Sequence, residues 1–143
     1  MSQSVQVPRA GTVERVNAFR VGGTYLFRHR FEADELLDAL REHYDCHRRR
    51  FQVAESSLAD LKPLLARHGY ELRVVDDIRA FVVLADDAVP DDVARTAVAR
   101  LEVDGRHALL LADVRAVERA VDAGARRLSE AGGRLPLGAL AQA

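Results

Sequence analysis

The stretch EHYDCHRRRFQV, residues 42–53, gathers the side chains of this sequence that are best suited to chemistry. His43, Asp45, Cys46 and His47 carry nitrogen, oxygen and sulfur atoms of the kinds that hold transition metals, and Arg48, Arg49 and Arg50 follow directly. Histidines four apart share one face of a helix, the geometry in which two imidazoles grip one metal, so His43, Cys46 and His47 form a candidate metal set. On such a helix Cys46 projects away from the His43/His47 face, and no second Cys-rich cluster exists. His29, His68 and His107 could join only through contacts made by the fold. The same histidines also suit a helix C-terminus, with Cys46 as a small half-buried filler.

The arginines are the second candidate. In a strand, Arg48, Arg50 and Gln52 share one face while Arg49, Phe51 and Val53 share the other. Should that strand lie beside TYLFRHRF (24–31), then Arg28, Arg30, Arg48 and Arg50 form one cationic surface, able to bind phosphate or nucleic acid through bidentate hydrogen bonds. RNA-binding sheets also present aromatics for stacking. Here Tyr25 and Phe27 alternate onto the face opposite Arg28 and Arg30, which predicts aromatics in the core and arginines outside. Such arginines serve equally well as a solvated face paired with acidic neighbours.

Other chemistry finds little support. The chain has no GxSxG, HExxH or GxGxxG motif and no phosphate-cradling glycine loop. The pairs Asp76-Asp77, Asp86-Asp87 and Asp91-Asp92 fit turns and helix starts. No catalytic residue is singled out, and no cofactor is implied. A winged helix can be drawn through SLADLKPLLARHGYELRVVDDIRAFVVL, but its helix offers only Lys62 and Arg67 against Glu55 and Asp60.

The bulk numbers frame these candidates. With 143 residues, 48% hydrophobic and 30% charged, the chain has the composition of one ordinary globular domain. A net charge of -1 argues against a broadly basic nucleic-acid binder while permitting a local patch. Of the 21 basic residues only Lys62 is a lysine, a bias that a G+C-rich genome also produces. No apolar run reaches the roughly 18 residues of a membrane span. The start has no signal-peptide core and there is a single cysteine, so a cytoplasmic location without membrane contact is expected.

The elements follow from periodicity. Two β-prone runs around Gly22-Gly23 predict a hairpin, and 32–44 a helix with its acids first and its bases last. Residues 48–54 predict a strand, and 55–69 a helix capped by Ser57, with Pro63 awkward inside it. Two strands are expected around an Asp76-Asp77 turn, then a helix over 89–101 opened by Pro90. Asp104-Gly105 turns the chain into the apolar strand RHALLLA, and Asp113 caps a last helix ended by Gly124. Residues 48–112 thus show the order β-α-β-β-α-β of ferredoxin-like domains. The expected fold class is α+β: a mixed sheet with helices packed on it, elaborated by an N-terminal β-hairpin and helix and a C-terminal helix. Residues 1–12 form a flexible start, 13–130 a single domain and 131–143 a fraying tail.

The stretches VERVNAFRVGGTYLFRHRFEADELLDAL, RRFQVAESSLADLKPLLARHGYELRVVDD and DGRHALLLADVRAVERAVDAGARRL resemble a group of uncharacterised small haloarchaeal α/β proteins. The likeness spans 13–128 and lies in overall pattern, so it implies no activity and no functional residue. The reading reached from sequence is a non-catalytic binding protein, a regulatory or protein-interaction module with a protein partner or a homodimer through strand edges. Nucleic-acid binding through the arginine face is the alternative, and a His/Cys metal protein the third.

Overall fold

The computed structural model describes residues 13–86, 90–103, 105–131 and 136–141. Its first element is the expected hairpin. Gly22 and Gly23 have φ of 59° and 83°, the left-handed pair that a two-residue turn between twisted strands requires. They join β1 (Glu14–Val21) to β2 (Thr24–Phe27) with Val21 opposite Thr24, whose Oγ1 donates to the Val21 carbonyl at 3.0 Å. Alternation along β1 sends Val16 and Ala18 into one core and Phe19 and Val21 into another, so both faces of this sheet are covered.

The remaining strands of that sheet are β3 (Tyr44–Asp45), β4 (Arg50–Ala54) and β5 (Tyr70–Val75), giving the order β3-β4-β2-β1-β5. Only β1 and β5 run parallel; α2 returns the chain across the sheet before β5. Helices α1 (Asp34–Leu40) and α2 (Glu55–Arg67) cover the outer face through Leu36, Leu40, Leu58, Leu61 and Leu65, which meet Phe27, Phe51, Val53 and Tyr70. Pro63 sits inside α2 without ending it: both Pro63 and Ala59, whose carbonyl loses its amide partner, face solvent. The helix starts at Glu55 behind Ala54, so Ser57 lies within it and is not the cap.

The second sheet holds β6 (Val82–Ala85), β7 (Ala99–Val103), β8 (Arg106–Leu110) and β9 (Arg126–Arg127) in the antiparallel order β7-β8-β6-β9. One of its faces packs on the first sheet, Val82, Leu84, Ala108 and Leu110 meeting Phe19, Val21 and Leu26. Its other face, with Val83, Leu109 and Leu111, is covered by α3 (Asp91–Thr96) and α4 (Val114–Asp122). A short α5 (Leu128–Ala131) follows. The layers are therefore helices, sheet, sheet, helices.

The mixed α/β character and the helices packed on sheet are as expected, but the strands divide differently. The β-α-β-β-α-β run over 48–112 straddles the two sheets: β4 and β5 belong to the first, β6, β7 and β8 to the second. Asp76-Asp77 is not a hairpin turn but the crossover between sheets. There Asp77 accepts bonds from the Arg79 backbone and side chain, which hold its carboxyl down to about 2. The helix expected over 89–101 stops at Thr96, whose Oγ1 turns back to the carbonyls of Asp92 and Val93. Val98, just before β7, and Leu101, within it, instead enter the inter-sheet core.

Asp113 caps α4 as expected, accepting from Ala116 N at 2.8 Å. The tail departs from expectation: residues Leu137–Ala141 form a 3-10 turn, and Leu140 is fully buried between the sheets. The start at 1–12 and residues 132–135 and 142–143 of the tail lie outside the described residues. Replacing Leu140 by alanine is expected to lower the unfolding free energy by about 2–5 kcal/mol. Urea denaturation measures this; a change within about 0.5 kcal/mol, as surface positions give, would mean that the tail does not dock.

Candidate functional site

The stretch 42–53 folds as a hairpin, not as a helix running into a strand. After α1 the chain makes one 3-10 turn over Arg41–His43, then β3 pairs with β4, Tyr44 opposite Phe51 and Asp45 opposite Arg50. Asp45 organises the loop between them. Its Oδ1 accepts from the N–H of His47 (3.0 Å) and Arg48 (3.1 Å), its Oδ2 from Arg48 Nη1 (2.8 Å), and its carbonyl from Arg49 N (2.6 Å). The Arg48 side chain is the main reason that the Asp45 carboxyl lies below the usual carboxylate range. Arg49 has φ of 58°, the only non-glycine residue with positive φ among those described. That conformation costs about 1–2 kcal/mol for a residue with a Cβ.

This geometry separates the proposed metal ligands. His43 ends the 3-10 turn beside Glu42, whereas Cys46 and His47 lie exposed in the loop, with a strand between them and His43. The shared helical face that the four-residue spacing implied does not form. Among the described residues no group of three or more His, Cys, Asp or Glu side chains is placed to hold a metal.

The arginines take two different roles. Arg50 has no exposed surface: its Nη1 donates to the carbonyls of Val98 (3.2 Å) and Leu140 (3.4 Å), and its Nη2 to Gln52 Oε1 (3.2 Å). Arg28, partly buried just after the end of the neighbouring strand β2, donates to the Ala97 carbonyl at 3.1 Å. Both thus cross from the first sheet to the junction of α3 and β7. Burial pushes both guanidiniums below their usual pKa, with Arg49 adding to the effect at Arg28 and Arg48 at Arg50. Tyr44 and Asp45 act in the opposite direction at the respective sites. An anion brought here would relieve that crowding.

Two clefts open on either side of this bridge. The first, about 760 Å³, is lined by Arg28, Arg30, Arg41, Arg49 and Arg119 together with Phe31, Leu37, Tyr44, Phe51, Ala112 and Ala116. The second, about 600 Å³, is lined by Arg28, Arg48, Arg49, Arg50, Arg95 and Arg100, with His47, Ala94 and residues 97–99. Arg28 and Arg49 belong to both. Among the described residues Asp113 is the only carboxylate in the wall of the first and Asp91 of the second, so a chain of net charge -1 sets a strongly cationic cavity between its halves. Among the described residues, Arg30, Arg49 and Arg100 make no ion pair, whereas Arg41 meets Asp38 and Arg119 meets Asp92. Leu37 and Tyr44, two of the four large apolar side chains that are exposed among the described residues, both line the first cleft.

Of the four arginines expected to form one outer surface, Arg30 lines the first cleft, Arg48 the second and Arg28 both; Arg50 lines the second but is spent inside the protein. Among the described residues neither sheet leaves a face open for nucleic acid to lie on, because helices cover one side of each and the opposing sheet the other. The winged-helix reading fails on pairing: β5 joins β1 and β6 enters the other sheet, so no wing follows α2. Sequence reasoning missed Arg49, Arg95 and Arg100. Strand alternation over 48–54 sent Arg49 to the far face, and the over-long helix at 89–101 kept Arg95 and Arg100 apart from the arginine run. The clue was the pair of β-branched and small residues Thr96-Ala97 ahead of ARLEV, where a helix gives way to a strand.

No helix among the described residues is long and apolar enough to cross a membrane. Two substitutions separate the arginine roles. Arg50→Ala, which strands two buried carbonyls and leaves a hole, is expected to cost about 2–4 kcal/mol in urea unfolding. Arg49→Gly is expected to stabilise the fold by up to about 1 kcal/mol by removing the left-handed strain; destabilisation there would mean that Arg49 serves the fold. Comparisons with protein-family models, with curated proteins and with solved structures find no match to this chain.

Proposed function

We propose that this protein is a binding domain that takes a phosphate-bearing anionic ligand into the arginine-lined cavity between its two halves. The observation that carries the proposal is the pair of adjoining clefts that share Arg28 and Arg49 and, among the described residues, are walled by arginine with one carboxylate each. Guanidinium forks match phosphate oxygens bidentately. Arg49 and Arg100, exposed and outside any ion pair among the described residues, are the side chains offered to such a ligand, and Arg95, engaged only with the Asp91 carbonyl, is a third. The strained backbone at Arg49 supports the same assignment, since such conformations persist where function uses them. Each volume lies within the roughly 300–1,000 Å³ typical of small-ligand sites, which favours a small anion over a polynucleotide laid across a surface.

The architecture supports a further part of the proposal. In β6-α3-β7-β8-α4-β9 the strands take the spatial order fourth, first, third, second, and β2-α1-β3-β4-α2-β5 follows the same plan with β1 inserted between its first and last strands. We read the chain as two ferredoxin-like units packed sheet to sheet, with the ligand cavity at their seam. Ligand cavities at the junction of two such units suit regulatory binding, in keeping with the module inferred from sequence.

The test is calorimetric titration of the full chain with inorganic tripolyphosphate at low and at physiological salt. Binding that weakens with salt is expected, and Arg49→Ala or Arg100→Ala should each weaken it by about tenfold or more, the loss of one charge-assisted bond. Arg79→Ala, which lies outside both clefts beside Asp77, should leave it unchanged. Absence of binding at low salt, or equal losses in all three variants, would overturn the proposal.

A further inference from the structure

The two clefts differ in chemistry as well as position. Phe31, Leu37, Tyr44 and Phe51 give the first an apolar, largely aromatic wall, whereas among the described residues the second has no Phe or Tyr side chain and is bounded mainly by arginine, with His47. Tyr44 lies on the edge strand β3, 44% exposed, with its ring against the ring of Phe51 at 4.9 Å and 60°. Phe51 in turn stacks on Phe27 at 5.2 Å, which anchors this pair to the core of the first sheet. An exposed tyrosine held by a packed phenylalanine is a preformed platform for a planar ring. Leu37, 38% exposed, adds apolar surface to the same cleft. Arg49 and Arg28 stand where this apolar cleft joins the cationic one.

A ligand that satisfies both clefts must carry a flat hydrophobic group at one end and two or more phosphates at the other. We propose that the ligand is a nucleoside di- or triphosphate, its base on the Tyr44 wall and its phosphates reaching past Arg49 toward Arg95 and Arg100. This rests on the anion-binding reading above and adds the organic half of the ligand. A purely inorganic anion would leave the aromatic wall of the first cleft unused. A long single strand would need a track continuing beyond the two clefts, and each cleft has the volume of a small-ligand site.

The experiment compares probes on the unaltered chain: an adenine and a guanine nucleoside triphosphate, inorganic tripolyphosphate, the free nucleosides, and oligonucleotides of increasing length, all by calorimetry at low salt. A nucleoside triphosphate is expected to bind about tenfold or more tighter than tripolyphosphate, the usual scale of one ring stacked on an aromatic side chain. Tyr44→Ala should erase most of that margin without weakening tripolyphosphate, and Tyr44→Phe should keep it. Equal affinity for tripolyphosphate and nucleotide would overturn the nucleotide assignment while leaving the anion site standing. Affinity that keeps rising with oligonucleotide length would overturn it in favour of a single strand. Failure of tripolyphosphate and nucleotide alike would overturn both readings. The comparison among ligands needs no variant, so it decides the matter even if Tyr44→Ala fails to fold.

Discussion

A guanidinium without exposed surface has to be met by acceptors, or its burial costs several kcal/mol. In this protein the acceptors for Arg50 include the main-chain carbonyls of Val98 and Leu140 and the amide of Gln52, and Arg28 meets the carbonyl of Ala97 in the same way. These bonds run from the first sheet to the second half and to the tail. They therefore impose a register between layers that the apolar contacts of Phe19, Val21, Leu26, Val82 and Leu110 do not impose by themselves, since hydrophobic packing is not directional. The cavity beside the bridge follows from that register: it exists because the α3–β7 junction is held against the β3–β4 hairpin.

The same arrangement explains why arginine concentrates here at some cost to local comfort. Arg28 and Arg50 hold their charges against burial and against each other's neighbours, and Arg49 holds a left-handed backbone. A glycine at 49 and neutral side chains nearby would fold more easily. Lysine would not substitute well, because the bridge uses one guanidinium to reach several acceptors at fixed angles. Structural arginines form the floor, and those outside ion pairs stand at the rim, so the field of the first group works on whatever the second group contacts.

Much of the local structure was legible in the sequence, and the reasons are local too. Gly22-Gly23 needs no tertiary partner to make its turn, Asp113 caps α4 with its own side chain, and Leu36 and Leu40 of α1 and Leu58, Leu61 and Leu65 of α2 face inward at helical spacing, whereas Leu37 is exposed. The errors share another cause. Val98 and Leu101 fit a helical stripe as well as a strand, and only the pairing of Leu101 with β8, the bond from Val98 N to the Leu110 carbonyl and their packing between the sheets settle which. Arg50 looked like surface because its acceptors lie 48 and 90 residues away in the chain. Within the candidate site, Arg28, Arg30 and Arg48 could be named from spacing beside the first hairpin. Arg95 and Arg100 could not, because nothing short of the sheet-on-sheet packing brings them to the same cavity.

The most direct test of this account is to follow the arginine side-chain Nε–Hε resonances by NMR while tripolyphosphate is added. The account predicts that the signals of Arg49, Arg95 and Arg100 shift first and saturate together, with Arg28 and Arg50 following as the bridge responds. Arg15, Arg67 and Arg79, paired with acidic neighbours outside the clefts, should stay in place. Shifts spread evenly over all the arginines, with no common saturation, would contradict it: the anion would then be sampling general positive charge and the cavity would have no special claim on it.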